Sequence, residues 1–254
     1  MRETESVLLW CSLLLLLAAG MAYLLGHSRW AHRCLAASLA ALTALLVVRA
    51  LEGRHLPFAD MEEALLFFTW CILAALVLSR VRSAARGITS LLGSAFLVLA
   101  LVFSQPAQPL SGALASPWFL VHVPITFMSY GFFIVACSEA VLCLRKDSVE
   151  ESVQARYAAM AGAMTWSFVL LTAGIVTGAF WADSAWGTFW SWDPKETASL
   201  ALWLVQLAFV HRRTSPAWHG RRSAWLVIAG FAVLLFTFIG LNLISITSLH
   251  TYVR

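Results

Sequence analysis

The chain has 254 residues, of which 61% are hydrophobic and 12% are charged, and its mean hydropathy is +0.81. Soluble domains are about 45–50% apolar and about 25% charged, so this composition excludes a soluble globular protein. The net charge of +4 does not indicate nucleic-acid binding, because most of the 17 lysines and arginines lie in alternate loops between apolar runs, as they do in membrane proteins.

Eight apolar runs predict membrane-spanning helices, although the seventh run is short. A helix of roughly 17–25 apolar residues crosses the hydrocarbon core, and lipid requires its backbone groups to pair within the segment. The runs lie near residues 7–25, 34–51, 61–79, 88–104, 118–144, 157–181, 197–211 and 223–244. We therefore predict an all-α fold, a polytopic helical bundle of about eight transmembrane helices that forms a single integral membrane domain over residues 1–254.

The loops that follow the first, third, fifth and seventh runs carry most of the basic residues. The positive-inside rule predicts that these loops are cytoplasmic and that both termini lie on the outer, periplasmic face. The first run follows Glu3 and Glu5 and lacks a positively charged start. We therefore expect it to remain as a helix instead of being cleaved as a signal peptide.

Histidines fall on both predicted faces of the membrane. The outer loop between the second and third runs carries His55, the fifth run begins near His122, and the eighth run is followed by His250. His211 stands apart, at the predicted cytoplasmic end of the seventh run. Ionisable residues in or beside a membrane span are costly and often mark function.

The segment between the sixth and seventh runs reads WGTFWSWDPKET over residues 186–197. Three tryptophans in seven residues at a membrane surface suit a flat hydrophobic ligand. If this segment were helical, Trp186, Trp190 and Asp193 would share one face.

The end of this segment predicts the start of the seventh helix. Asp193, Pro194 and Glu196 fit an N-cap, the first helical position and the third helical position. A cap of this kind contributes about 1 kcal/mol to stability.

Paired imidazoles on the same face as the tryptophans suit haem iron, which accepts histidine nitrogens as axial ligands. Aromatic rings supply the apolar surface on which a porphyrin stacks. Residue types alone leave quinone binding and plain anchoring by interfacial tryptophans open as well.

Residues 186–197 resemble the WWD signature, W-G-x-x-W-x-W-D-P-K-E-T, of the CcsA (ResC) family of c-type cytochrome maturation. This family belongs to a wider superfamily of haem-handling membrane proteins. Flanking segments are also similar to family segments: residues 53–57 with Glu62, His122 with Ser129 and Tyr130, residues 207–213 with His211, and residues 242–252 with His250. The resemblance covers roughly residues 50–254.

The resemblance implies that the protein binds b-type haem non-covalently in transit and moves it to the outer face. There it would present the haem for covalent attachment to apocytochrome c, as part of a membrane cytochrome c synthase (haem lyase) complex. The implied partners are a membrane protein of the CcsB (ResB) type, apocytochrome c and, indirectly, thiol-reducing membrane proteins. The implied location is the bacterial cytoplasmic membrane, or the thylakoid membrane for a plastid protein.

The resemblance also implies roles for individual residues. His122 and His250 would be axial ligands of haem iron at the outer face. His211 would be one ligand of an earlier haem position within the membrane, with the other supplied by the partner. The WWD loop, residues 186–193, would hold the porphyrin through Trp186, Gly187, Trp190, Trp192 and Asp193. No catalytic side chain is assigned.

Several supporting roles stay open. Arg54 and Lys195 are candidate partners for the haem propionates. For His55 we favour a polar loop group or a donor that orients a ligand over a third ligand.

Two other functions also stay open. One is a haem-binding membrane regulator of haem biosynthesis, since Ala198 and Ser199 follow the motif where many relatives carry bulkier residues. The other is a quinone-interacting or structural membrane subunit.

Overall fold

The computed structural model describes residues 2–104, 112–145 and 150–243, and the secondary structure of these residues is helical, with no strand among them. Eight long helices follow one another: α1 (Arg2–Leu24), α2 (Ser28–Gly53), α3 (Met61–Leu78), α4 (Ser83–Val102), α5 (Pro117–Cys143), α6 (Glu150–Trp186), α7 (Pro194–Arg212) and α8 (Arg221–Leu235). A π-helical turn, Phe236–Gly240, and a last helical turn, Leu241–Leu243, continue α8. Each predicted apolar run coincides with a helix, so the all-α bundle is confirmed.

Seven of these eight helices are long and apolar enough to cross a membrane, judged by length and composition. The eighth is α7, which has 19 residues and carries Lys195 and Glu196 in its first turn and Arg212 at its end. These charges leave a short apolar centre in a helix that packs against both α6 and α8. The chain is therefore a multi-pass membrane protein.

Helices α3 and α5 form the centre of the bundle. Of their most apolar segments, 72% and 67% of the residues are buried, whereas the corresponding share is 33–39% for α1, α2, α6 and α8. A helix buried on most of its faces contacts protein where a peripheral helix contacts lipid. Helices α5 and α6 make the most extensive pair in the described part of the chain, which matters because both contribute to the site below.

A buried ion cluster joins α1, α2 and α3 at the ends that the charge pattern places outside. The Arg49 side chain is 2% exposed, and its Nη1 lies 3.0 Å from Oε1 of Glu62 and 3.6 Å from Oε2 of Glu5. Its Nε lies 3.6 Å from Oε1 of Glu63. Buried charges are retained only when they are paired, so this cluster fixes how α1 and α2 meet α3.

Side-chain hydrogen bonds connect α5, α6 and α7 inside the bundle. The Ser129 hydroxyl donates to the carbonyl of Ser167 at 2.7 Å, and the Gln206 amide donates to the Ser167 hydroxyl at 3.1 Å. In addition, the Trp203 indole donates to the Thr172 hydroxyl at 2.9 Å. Such bonds between helices hold neighbouring spans in register where lipid offers no alternative partner.

Candidate functional site

Of the candidate residues, His122 has the most fully defined surroundings. It lies in the second turn of α5, is half-buried, and its Nδ1 is 2.8 Å from the carbonyl oxygen of Gly174 on α6. A carbonyl oxygen only accepts hydrogen bonds, so Nδ1 carries the proton in this contact. The other ring nitrogen, Nε2, is then the unprotonated one, which is the form that a neutral histidine uses as a metal ligand.

One face of α6 holds the His122 ring in a fixed plane. A Cβ atom on Gly178 would lie 2.7 Å from Cε1 of His122, so the ring rests directly on the helix backbone. The Trp181 indole stacks on the same imidazole, with ring centroids 5.8 Å apart and planes 18° apart. Gly174, Gly178 and Trp181 recur at positions i, i+4 and i+7, the spacing of a single helix face.

Trp181 connects His122 to the tryptophan segment. It is 4% exposed and meets Trp186, the last residue of α6, edge to face at 5.3 Å. Trp181 also packs on Phe119 at 5.4 Å, and Phe119 packs on Phe58 of the outer loop at 5.4 Å. Such pairs contribute about 0.5–1.5 kcal/mol each beyond the burial of their area. The His122 imidazole and Trp186, at the start of the WWD loop, therefore pack on the same aromatic residue, Trp181.

The WWD loop itself is irregular over residues 187–193. Gly187 has a φ of +79°, and its N–H donates to the Asp183 carbonyl, so α6 ends directly after Trp186. A glycine in the left-handed region is the usual way to end a helix. The condition under which Trp186, Trp190 and Asp193 would share one helical face is therefore not met.

Trp192 adopts an uncommon backbone conformation. Its φ is +59°, which non-glycine residues rarely adopt. The Glu196 carboxylate accepts hydrogen bonds from the N–H groups of Ser191 and Asp193, at 2.8 and 3.1 Å, so it holds the backbone on both sides of Trp192. The Thr197 hydroxyl donates to the Trp192 carbonyl at 3.3 Å. Trp192 itself is 68% exposed.

Asp193 caps α7 as the sequence predicted. Its carboxylate is buried and accepts from the Lys195 N–H at 3.0 Å, and the reciprocal capping box with Glu196 is present. Helix α7 begins at Pro194. The predicted start of the seventh helix is confirmed.

Exposed aromatic rings surround the loop. Trp190 meets Trp192 edge to face at 5.6 Å. Trp118, one turn before His122 on α5, stacks on Phe180 at 4.8 Å, and Phe180 meets Phe189 of the loop at 5.8 Å. Aromatic rings in this arrangement offer an apolar surface on which a flat ligand can stack. The site combines one oriented imidazole with a broad aromatic surface, which fits the chemistry of a haem ligand and a porphyrin face.

The structure changes the interpretation of the two outer cations. Lys195 donates from Nζ to the Oδ1 of Asn242 at 3.0 Å. Lys195 precedes the apolar run 197–211, and burial lowers its pKa to about 8 despite the opposing effect of the Asp193 carboxylate. Arg54 remains exposed, with a φ of +56° just after α2.

The His55 side chain is buried in the outer loop between α2 and α3. Its imidazole is 3% exposed, its Nδ1 lies 2.8 Å from the carbonyl of Leu56 and 3.9 Å from the Glu63 carboxylate. These contacts fit a polar group that holds the outer loop, one of the two roles favoured from the sequence.

Two other histidines, His250 and His211, are predicted from the sequence as haem ligands. His250 lies outside the described residues. His211 is exposed in the last turn of α7, at the opposite end of that helix from Asp193. Within residues 2–104, 112–145 and 150–243, no group of three or more histidine, cysteine, aspartate or glutamate side chains is arranged to hold a metal ion.

Sequence reasoning missed Trp181, Gly174, Gly178 and Asn242. The first three recur with helical spacing at 174, 178 and 181, but nothing local links this face to a histidine 52 positions away. Asn242 was noted only as the beginning of the segment that contains His250.

Comparisons with known proteins agree on one family. The model of the family described as "Cytochrome C assembly protein" matches residues 58–249. The chain is 37% identical over 255 residues to the cytochrome c biogenesis protein CcsA of Prochlorococcus marinus strain MIT 9303, covering 83% of this chain and 80% of that one. It is 36% identical over 258 residues to CcsA of Synechococcus sp. strain CC9311, covering 84% of each.

A solved structure shares the fold. The chain superposes on the structure titled "Cytochrome c Heme Lyase CcmF" with a TM-score of 0.68 and 21% sequence identity. The superposition covers 93% of this chain and 46% of that chain, so this protein spans a little under half the length of the CcmF chain. At this identity the likeness concerns the fold alone.

Proposed function

Because the chain belongs to the cytochrome c assembly protein family and to its CcsA branch, we propose that it binds haem at its outer face and presents it for attachment to apocytochrome c. Participation in cytochrome c biogenesis follows from the family itself. The haem site, the route of the haem and the partners are the parts that we propose.

The single observation that carries the proposal is the orientation of His122. Its Nδ1–H is fixed on the Gly174 carbonyl at 2.8 Å, which leaves Nε2 as the nitrogen for iron. Gly178 and Trp181 hold the ring plane. A ligand fixed in this way needs no reorientation when haem arrives, and that reduces the entropic cost of binding.

The WWD loop supplies the apolar surface of the proposed site. Trp186 packs on Trp181, which also stacks on His122, and Trp190 and Trp192 pack on each other. Gly187 and Asp193 shape the loop by ending α6 and beginning α7. We propose that these five residues hold the porphyrin and that His250 supplies the second axial imidazole, with the haem remaining b-type and non-covalently bound.

His211 would act at a separate, earlier step of haem transport. It lies at the far end of α7 from Asp193 and is exposed there, so a ligand on a partner chain can reach it. We propose that His211 and a membrane protein of the CcsB (ResB) type hold haem in transit through the bilayer. Apocytochrome c would then meet the haem at the outer face.

The attachment chemistry places few demands on this chain. Each linkage adds a cysteine S–H of the apocytochrome across a vinyl C=C of haem, forming one C–S and one C–H bond with no net oxidation or reduction. The thiolate is the nucleophile, and thiol-reducing membrane proteins would keep both cysteines reduced. This chain would contribute by holding the porphyrin with its vinyl groups accessible, because orientation alone accelerates such reactions.

The proposal is tested by the absorption spectrum of the protein purified with its partner. Wild type should show low-spin haem, and the amount should be quantified as the pyridine haemochrome. His122→Ala and His250→Ala should each weaken the low-spin bands, and the double variant should abolish them. His211→Ala should reduce haem loading while both outer histidines remain.

A matched control separates ligand loss from general damage. His27 lies in the loop between α1 and α2, on the face that the charge pattern places inside, so His27→Ala should leave the spectrum unchanged. Retained low-spin haem in the His122 and His250 double variant would remove both from the ligand set. Absence of haem from folded wild-type complex would reject the haem function and favour a quinone-interacting or structural subunit.

A further inference from the structure

Helices α7 and α8 are close in the middle of the bundle and separated near the WWD loop. In the middle, a Cβ on Gly230 of α8 would lie 2.9 Å from a side-chain atom of Val205 on α7. Near the loop, an open apolar groove of about 660 Å³ separates the two helices. The groove is lined by Pro194, Thr197, Ala198 and Ala201 from the α7 side and by Ala232, Val233, Phe236 and Leu241 from the α8 side.

A polar contact spans the groove at its WWD-loop end. The Nζ of Lys195 donates to the Oδ1 of Asn242 at 3.0 Å. Each of these residues directly follows a groove-lining residue, Pro194 on one wall and Leu241 on the other. The Asn242 side chain is almost fully buried, with the residue 2% exposed. A buried hydrogen bond of a charged donor is stronger than an exposed one, so this contact resists separation of the two helix ends.

Asn242 also forms a hydrogen bond with the backbone of the π-helical turn. Its Nδ2 donates to the carbonyl of Phe238, inside the turn Phe236–Gly240. Turns of this type interrupt the regular backbone ladder and are frequent at functional sites. One amide thus stabilises the end of α8 and at the same time accepts from Lys195, which is two residues after Asp193 of the WWD loop.

We propose that Lys195 and Asn242 form a clip that positions the WWD loop against the end of α8, and that Lys195 is a positioning residue instead of a ligand of the haem propionates. This inference rests on the proposed haem function.

The alternative role of Lys195 is direct ion pairing with a propionate. The two roles differ when the carboxylates are removed, because haem dimethyl ester has no charge for Lys195 to pair with. The experiment compares haem with haem dimethyl ester for the full chain in complex with its partner. The measured quantity is the dissociation constant from absorption titration.

The variants are chosen to break the clip from each side. Lys195→Met keeps the length of the side chain and removes the donor, and Asn242→Leu removes the acceptor. Each should weaken binding of both porphyrins about tenfold or more, and the double variant should lose no more than either single variant. Asn242→Asp keeps the acceptor for Lys195 but loses the donor to the Phe238 carbonyl, so it should retain more affinity than Asn242→Leu, which loses both. Glu3→Gln, at an exposed position in the first turn of α1, is the control for a lost charge at the end that the charge pattern places outside, and it should change neither constant.

Two results would overturn the inference. One is a Lys195→Met variant that weakens haem binding but leaves haem dimethyl ester unaffected, which would identify a propionate contact. The other is additive loss in the double variant, or Lys195→Met and Asn242→Leu variants whose dissociation constants equal those of Glu3→Gln.

Hydrogen exchange separates failure of the clip from failure of the haem function. In haem-free protein, loss of the clip should accelerate exchange of the amides in residues 236–243 at least several-fold relative to wild type. Unchanged exchange in Lys195→Met would reject the clip even if haem binds. Wild-type protein that binds neither porphyrin would reject the haem function, whereas accelerated exchange in the variants would still establish the clip.

Discussion

Gly178→Ala is the most direct test of the His122 geometry. The new Cβ would lie 2.7 Å from Cε1 and 2.8 Å from Nδ1 of the imidazole, whereas carbon atoms in contact sit about 3.5–4.0 Å apart. The ring must therefore move by about 1 Å. A move of that size breaks the 2.8 Å hydrogen bond to the Gly174 carbonyl, at a cost of about 1 kcal/mol.

Gly178→Ala should reduce haem binding more than it reduces the stability of the fold. Alanine contributes up to about 1 kcal/mol more than glycine to an α-helix, which offsets most of the lost hydrogen bond. Metal–ligand distances, in contrast, tolerate only about 0.2 Å. We expect the Gly178→Ala complex to unfold within a few degrees of wild type while its low-spin absorption bands are strongly reduced.

A second glycine of α6 provides the matched control. A Cβ on Gly162 would meet no atom within 4 Å, so Gly162→Ala changes the same helix without touching the imidazole. It should be as stable as wild type or more stable, with an unchanged spectrum. A folded Gly178→Ala complex whose haem spectrum and affinity equal those of the Gly162→Ala complex would refute His122 as a ligand held on α6.

Three further predictions concern residues around the site and the ion cluster. Asp193→Ala removes the α7 cap and should lower the free energy of unfolding by about 1 kcal/mol, while Asp193→Asn should stay near wild type; equal melting temperatures would contradict the cap. Arg49→Met leaves the Glu62 and Glu63 carboxylates buried without their cation, so it should lower the free energy of unfolding by about 3–5 kcal/mol, measured by denaturant titration. A loss below about 1 kcal/mol, as for an exposed ion pair, would refute this. Trp181→Leu should weaken the low-spin bands, whereas Trp181→Phe should retain them because a ring still stacks on His122; identical spectra for both variants would remove Trp181 from the positioning role.

Local patterns explain why the helices were predictable. The apolar runs fix the segments that lipid can accept, and each run became a helix. The start of α7 was predictable to the residue, because Asp193, Pro194 and Glu196 carry the capping information within four positions. Local signals of this kind do not depend on the rest of the fold.

The path of the WWD loop depends on weaker signals. Gly187 can end a helix, but a glycine beside tryptophans does not by itself exclude a continued helix. The left-handed Trp192 is held by hydrogen bonds around it, chiefly those to the Glu196 carboxylate. The sequence suggested Glu196 as a helix cap, and the same carboxylate also fixes the loop.

Contacts between distant segments could not be predicted from one sequence. Arg49 lies near the end of the second apolar run of the sequence, yet its side chain is the centre of a buried cluster with acids on two other helices. The same limit applies to His122, whose predicted sidedness said nothing of the carbonyl, glycine and indole that orient it. Pairing across helices is set by packing, which periodicity within one helix does not encode.

The residues of the proposed site divide into a group on helices and a group on the WWD loop. His122, Trp181 and Trp186 rest on the tightly packed pair α5 and α6. Trp192 projects from an irregular loop whose far end depends on the contact between Lys195 and Asn242. If haem is held as proposed, the residues on α5 and α6 would fix one axial ligand, and the WWD loop would hold the porphyrin ring. Release of the porphyrin would then depend on how firmly the loop residues hold it, because tighter contacts slow dissociation. Weakening the clip should therefore speed haem dissociation more than it slows association.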